Sequence, residues 1–172
     1  MVFNLKLKLV AVGGTFDRLH RGHKKLILKA FEVGDEVIIG LTTDDMVKNK
    51  FLGKEILSFD ERLKELKEFL EDKGLLSRCK ILPLNDVYGP TTIDESIEGL
   101  VVSEETLGRA LEINRIRVSK GMRPLIIFVI PLLLAENGKP ISSHRIRSGE
   151  INRNGKVLRK TSQRQIYKQI ST

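Results

Sequence analysis

Five short apolar runs punctuate the chain, and turn or helix signals separate them. Residues 5–13 (LKLKLVAVG) alternate apolar with basic and then become wholly apolar, as a strand does on entering a core. EVIIGLT at 36–42, CKILPL at 79–84, GLVVS at 99–103 and PLIIFVI at 124–130 are compact runs of buried-strand length. Between the first two, residues 22–33 set Leu26, Ile27, Ala30 and Phe31 at helical spacing, with Gly34 as the stop. Ser58 to Glu61 has the S-x-x-E form of a capping box and opens a helix carrying Leu63, Leu66, Phe69 and Leu70, closed by Gly74. Ser103 caps a further helix, whose first turn holds Glu104 and Glu105 at the positive end of its dipole. Strands alternating with helices predict an α/β fold, a doubly wound parallel sheet covered on both faces, with its ligand crevice at the carboxyl ends of the strands.

There is no internal repeat and no low-complexity linker. At 172 residues the chain suits one domain, here 1–151, with residues 152–172 packed on it or trailing it. That last segment is set apart by charge. Of the net +8, it supplies six basic residues (Arg153, Lys156, Arg159, Lys160, Arg164 and Lys168) and no acidic one, leaving +2 for the rest. A basic tail suits nucleic acid, anionic lipid or phosphorylated small molecules, or is simply a solvated terminal element. Nucleic acid is the weaker reading. Tryptophan is absent, tyrosines number two and phenylalanines seven, and no aromatic-and-basic interleaving offers bases a stacking surface. No apolar run approaches the ~20 residues that span a bilayer; the most apolar, 124–135, is broken by Pro131. The amino-terminal alternation reads as a strand and not as a signal peptide, so a soluble, cytoplasmic protein is expected. Cys79, the single cysteine, allows neither an internal disulfide nor a cysteine-rich zinc site.

Candidate chemistry concentrates in residues 13–23, GGTFDRLHRGH, at the junction of the first strand and first helix. Gly13 and Gly14 allow a sharp turn and close ligand approach. The following helix points its free N–H groups and positive dipole end at the same space, which suits phosphate. Neither a Walker A sequence nor G-x-G-x-x-G is present. Two of the chain's three histidines, His20 and His23, flank Gly22, whose missing side chain leaves both rings room to face a ligand. Imidazoles donate hydrogen bonds to phosphate oxygens and carry positive charge when protonated. A zinc site from His20, His23 and His144 is the rival arrangement, but the His-x-x-His pair lies across a loop without acidic support, and no metal site is expected.

Gly14-Thr15-Phe16-Asp17 followed by His20-Arg21-Gly22-His23 resembles the GTFD and HxGH signatures of the HxGH nucleotidyltransferase superfamily. Residues 141–147 (ISSHRIR) are similar to its ISSTxIR/K motif, with His144 in place of the usual Ser or Thr. Even without the family, two serine hydroxyls, a helix start and arginines compose a polyphosphate clamp. TTDDMVKNK at 42–50, NDVYGPT at 85–91 and VVSEETLGRALEINRIR at 101–117 resemble the archaeal and eukaryotic type of pantetheine-phosphate adenylyltransferase. The bacterial type carries R-G-L-R where this chain has Ser103 to Thr106, so arginine roles do not transfer there.

The resemblance implies a Rossmann-like fold and transfer of the adenylyl group of ATP to 4′-phosphopantetheine, giving dephospho-coenzyme A and pyrophosphate. It implies in-line attack without a covalent intermediate, with magnesium on the triphosphate. His20 and His23 would hold the ATP phosphates and Thr15 the acceptor phosphate. Lys50 would bridge the two, with Lys48 and Lys54 as alternatives. Gly14, Phe16, Ser142, Ser143 and Arg147 would contact the nucleotide; Ser103, Glu105, Thr106 and Asn114 would border adenine, Asn114 being equally an ordinary polar residue on a helix end. Asp86 and Tyr88 would form the pantetheine wall, or an ordinary turn at 88–90. Asp17 would brace the loop. Dephospho-coenzyme A and coenzyme A are the product-like ligands. The alternatives are another HxGH enzyme, using CTP or a different phosphorylated acceptor, and, more distantly, a basic nucleic-acid-binding module.

Overall fold

The computed structural model describes residues 6–48 and 55–158. Its strands are β1 (Leu7–Gly14), β2 (Gly34–Thr42), β3 (Cys79–Leu84), β4 (Gly99–Ser103) and β5 (Ile126–Ile130). They form one sheet in the order β3-β2-β1-β4-β5, with every pairing parallel. The helices are α1 (Arg21–Val33), a short α2 (Asp44–Val47), α3 (Phe59–Asp72), α4 (Leu107–Ser119) and a short α5 (Ser143–Arg147). The doubly wound α/β expectation is met: the chain order reverses between β1 and β4, so the crevice of such a sheet falls at their carboxyl ends.

Side chains alternate across a strand, and the two cores follow that alternation. Val10 and Val12 of β1 and Val37, Ile39 and Leu41 of β2 pack with Ile27, Ala30 and Phe31 of α1 and Leu66, Phe69 and Leu70 of α3. Ala11, Ile38, Leu100 and Val102 face the other way, onto Ala110 and Ile113 of α4. Strict helix alternation fails once. The β3–β4 connection carries only a 3-10 turn, Gly89–Thr92, in which Thr91 and Thr92 are buried and their carbonyls bond Arg117 of α4 and Lys120 just past its end.

Two expected helix stops work differently. Gly74 has φ +65 and follows α3 as a left-handed stop. Gly34 has φ −120 and opens β2 directly; a Cβ there would lie 2.8 Å from Val10 Cγ2, so its need is close packing. Ser103 does start an element, but through a 3-10 turn, Glu104–Thr106: its N–H donates to Thr106 Oγ1 at 3.1 Å before α4 begins.

Residues 152–158 pack on the same body. The Arg21 N–H donates to the Arg153 carbonyl at 3.1 Å, and Arg153 pairs with Glu65 at 2.8 Å. The remainder of the basic segment lies outside the described residues. No helix among the described residues is long and apolar enough to cross a membrane.

Candidate active site

A cleft of about 610 Å³ opens at the carboxyl ends of β1 and β4. Gly14, Thr15, Phe16, His20 and His23 reach it from the β1–α1 loop, and Ser103, Glu105 and Thr106 from the β4–α4 turn. Asp86 and Tyr88 reach it from beyond β3, and Ser142 and Ser143 from the start of α5. Segments far apart in sequence thus converge on one space. A second hollow, about 640 Å³, runs along the outer face of α1 between Lys24, Lys25 and Val129, and carries neither motif histidine.

The β1–α1 loop turns on residues other than its glycines. Phe16 (φ 50) and Arg18 (φ 48) hold left-handed backbone, whereas Gly13 and Gly14 continue the strand. Gly14 matters for closeness: a Cβ there would sit 3.2 Å from the Phe16 ring. That ring is buried and meets His23 edge-on at 5.4 Å between centroids, so Phe16 props His23 from below.

His20 is the N-cap of α1. Its Nδ1 accepts from the backbone N–H of Gly22 at 3.1 Å and of His23 at 3.4 Å, as an Asn or Asp oxygen would. The Arg21 N–H goes to Arg153 and the Lys24 N–H to the His20 carbonyl. The N–H groups of Arg21, Gly22 and His23 are thus taken, and that of Lys24 makes the first bond within the helix. What the loop presents is imidazole. A Cβ at Gly22 would crowd the His20 ring at 3.1 Å, so the glycine does clear space for it.

The two imidazoles stack at 3.6 Å. Burial pushes His20 down to about 4, opposed by Asp17 and assisted by Arg153. Burial, and then the neighbouring His20, hold His23 well below the usual histidine range. Both rings are neutral at pH 7. Of the two imidazole properties that suit a phosphate, hydrogen-bond donation and positive charge, the neutral rings keep the first. With Nδ1 of His20 accepting, its neutral ring carries hydrogen on Nε2. Nδ1 of His23 is sealed from solvent and has no hydrogen-bond partner among the described residues.

Thr15 is held from beneath. Its hydroxyl accepts from Thr42 Oγ1 at 3.2 Å, and its carbonyl accepts from Arg62 Nη1 at 3.0 Å. Arg62 is fully buried and also donates to the carbonyls of Thr42 and Leu57 and to the carboxylate of Asp44. It escaped the sequence reading, although a signal existed: Arg62 shares the apolar face of α3 with Leu66 and Phe69 at helical spacing.

Asp17 braces the loop as expected, accepting the Leu57 N–H at 3.0 Å. Ser142 Oγ accepts from the Arg145 N–H at the start of α5, and Ser143 Oγ donates to the Asp17 carbonyl at 2.8 Å. Arg147 is not among the residues lining the cleft; its Nη1 donates to Asp17 Oδ2 at 2.7 Å. Asn114 takes part in the packing of α4. Its amide makes a two-way clasp with the Leu125 backbone, donating at 2.9 Å and accepting at 2.7 Å, and it does not line the cleft. Asp86 Oδ1 closes the turn by accepting from the N–H groups of Tyr88 and Gly89, both at 2.8 Å. Tyr88 donates its hydroxyl to Glu112 at 2.6 Å, and its ring lies 5.5 Å beneath the Arg109 guanidinium, a cleft-lining cation the sequence reading passed over. Lys48 is an exposed partner of Asp45 and does not line the cleft. Lys50 and Lys54 lie outside the described residues.

The cytidylyltransferase-like family pattern matches residues 11–149. A phosphopantetheine adenylyltransferase of Pyrococcus abyssi is 51% identical over 156 residues, covering 91% of this chain and 99% of that one. One of Methanopyrus kandleri is 47% identical, covering 86% and 92%. Among solved structures, an Archaeoglobus fulgidus protein of unknown function superposes with TM-score 0.64 at 37% identity, covering 73% of this chain and 89% of that one. The tyrosyl-tRNA synthetase of the same organism shares the fold at TM-score 0.59 and 14% identity, covering 82% of this chain and 60% of its own. Fold, motif placement and these likenesses agree: the chain belongs to the cytidylyltransferase-like nucleotidyltransferases and, within them, to the phosphopantetheine adenylyltransferase family.

Proposed function

We propose that the chain joins the adenylyl group of ATP to 4′-phosphopantetheine, releasing pyrophosphate and dephospho-coenzyme A. The observation that carries this reading is the convergence of Thr15, the neutral His20–His23 stack, and Ser142 and Ser143 on one cleft. An acceptor phosphate oxygen attacks the α-phosphorus in line. The bond from that phosphorus to the bridging oxygen breaks, and its electrons leave with pyrophosphate. The nucleophile is already an anion, so no base is required, and positioning with charge stabilisation does the chemistry. The imidazole N–H groups are fixed before reaction and cost no reorganisation as charge shifts in the transition state.

Among the described residues no three His, Cys, Asp or Glu side chains gather as a metal site. Asp17 is committed to two arginines. Magnesium is proposed to enter with the ATP triphosphate, as part of the substrate. Thr15 holds the acceptor phosphate, Asp86 and Tyr88 wall the pantetheine side, and Ser103, Glu105 and Thr106 border adenine. Lys50 is proposed to bridge the two substrates. Dephospho-coenzyme A and coenzyme A are expected to occupy the same cleft, nucleic acid is not an expected partner, and a cytoplasmic location fits a soluble biosynthetic step.

The test is pyrophosphate release from magnesium and ATP, with and without 4′-phosphopantetheine, beside CTP with a phosphoalcohol. Release that needs both ATP and 4′-phosphopantetheine is expected. A better rate from the CTP pair would replace this reading with the alternative nucleotidyltransferase.

A further inference from the structure

Three segments of the site meet at one carboxylate. Asp17 is 1% exposed. Its Oδ1 accepts the Leu57 N–H, and its Oδ2 accepts from Arg18 Nη1 at 3.0 Å and Arg147 Nη1 at 2.7 Å. Its own carbonyl takes the Ser143 hydroxyl. The β1–α1 loop is thereby tied to the chain entering α3 and, across 130 residues of sequence, to α5.

Arg147 faces inward. Its side chain is 8% exposed, and its Nε is sealed without a partner among the described residues. A guanidinium that serves a phosphate presents its donor fork to the ligand. This one spends a donor on a buried carboxylate and lines no part of the cleft. The neighbours of Asp17 add a second observation. Phe16 and Arg18 on either side both hold left-handed backbone, a conformation that persists only where surrounding contacts over-determine it. The donors gathered on Asp17 are such contacts.

We propose, building on the adenylyl-transfer reading above, that Arg147 is a positioning residue acting through Asp17. The pair fixes Ser142 and Ser143 relative to Thr15, His20 and His23, so donor and acceptor phosphates are gripped by one rigid frame. Arg147 does not itself hold the triphosphate. Loosening the frame misaligns the reacting atoms in a site that still binds ATP, and so lowers kcat more than affinity.

A double-mutant cycle tests this with Asp17→Asn, Arg147→Met and the combined variant. The readouts are kcat, KM for both substrates, and ATP affinity by calorimetry. Asp17→Asn keeps an acceptor for the Leu57 N–H but removes the charge that holds Arg147. Each single variant is expected to lower kcat about 100-fold while ATP affinity stays within about threefold, as misplacement by about an ångström does. The combined variant is expected to be no worse than the poorer single one. The proposal is overturned if Asp17→Asn leaves kcat unchanged. It is equally overturned if Arg147→Met weakens ATP binding tenfold or more, the loss of about one charged hydrogen bond, or if the two kinetic effects multiply. Should Arg147→Met not fold, the isosteric Asp17→Asn decides alone. Failure of wild type to use 4′-phosphopantetheine would instead count against the reaction assigned, and the ATP calorimetry would still judge Arg147.

Discussion

At His20, one imidazole nitrogen is consumed by the helix it begins, and the other carries the ring's hydrogen. Burial keeps the ring neutral, so that division holds at pH 7. It also has a cost in acid. The folded value is about 4 against 6.5 for an exposed ring, so between these values the unfolded chain binds a proton that the folded chain refuses. Stability therefore falls as pH drops through that window, by about 3 kcal/mol at its lower end, and is unaffected above it. Melting curves from pH 7 to pH 4 are expected to flatten in His20→Asn, whose side-chain oxygen keeps the cap. Parallel curves for variant and wild type would refute the burial account. For His23, whose ring meets Phe16 edge-on, the expected effect is on rate. His23→Ala should lower kcat about 10²- to 10³-fold, the worth of one preorganised donor, with smaller changes in KM. The pair was legible in the sequence as H-x-G-H. Its neutrality was not, because the desolvation responsible comes from packing.

The elements divide according to how local their signals are. β3 and β4 span the apolar runs 79–84 and 99–103, and α3 begins at its S-x-x-E capping box. The four-residue α2 has no periodicity to detect, and the β3–β4 connection is shaped by α4 instead of by its own sequence. Glycines show the same split. Gly74→Ala meets open space and bears only the left-handed strain, about 1 kcal/mol. Gly34→Ala drives a methyl into Val10 and should cost about 1–3 kcal/mol in urea titrations. Equal losses would mean that conformation, and not close packing, rules both. Arg62 is a commitment at the element scale, a buried charge joining α3 to the ends of β1 and β2. Arg62→Met strands the carbonyls of Thr15, Thr42 and Leu57. It should destabilise by about 3–5 kcal/mol and raise KM for the acceptor that Thr15 is proposed to hold. An unchanged acceptor KM in a folded variant would separate Arg62 from the acceptor site.

For the whole molecule, the order β3-β2-β1-β4-β5 makes the cleft a product of the entire fold, since the β1–α1 loop, the β3 and β4 termini and α5 all contribute to it. Ligand binding should stabilise the domain as one unit. Dephospho-coenzyme A, the proposed product, is expected at about 100 times its Kd to add about 2.7 kcal/mol, which for a chain of this size is about 5–10 °C in Tm. A shift confined to part of a biphasic melt would contradict a single cooperative body. Determined by sequence alone were the features whose physics is short-ranged: strand runs of period two, helix faces of period 3.6, the capping box, and the two motifs at residues 14–23 and 141–147. Only the tertiary structure decided that those motifs face one cleft, that Asn114 clasps the Leu125 backbone instead of lining it, and that both histidines are neutral. It alone decided, too, that Arg147 turns to Asp17. The reason is that burial and long-range charge pairing depend on which distant segments are packed together, and no local spacing encodes that distance.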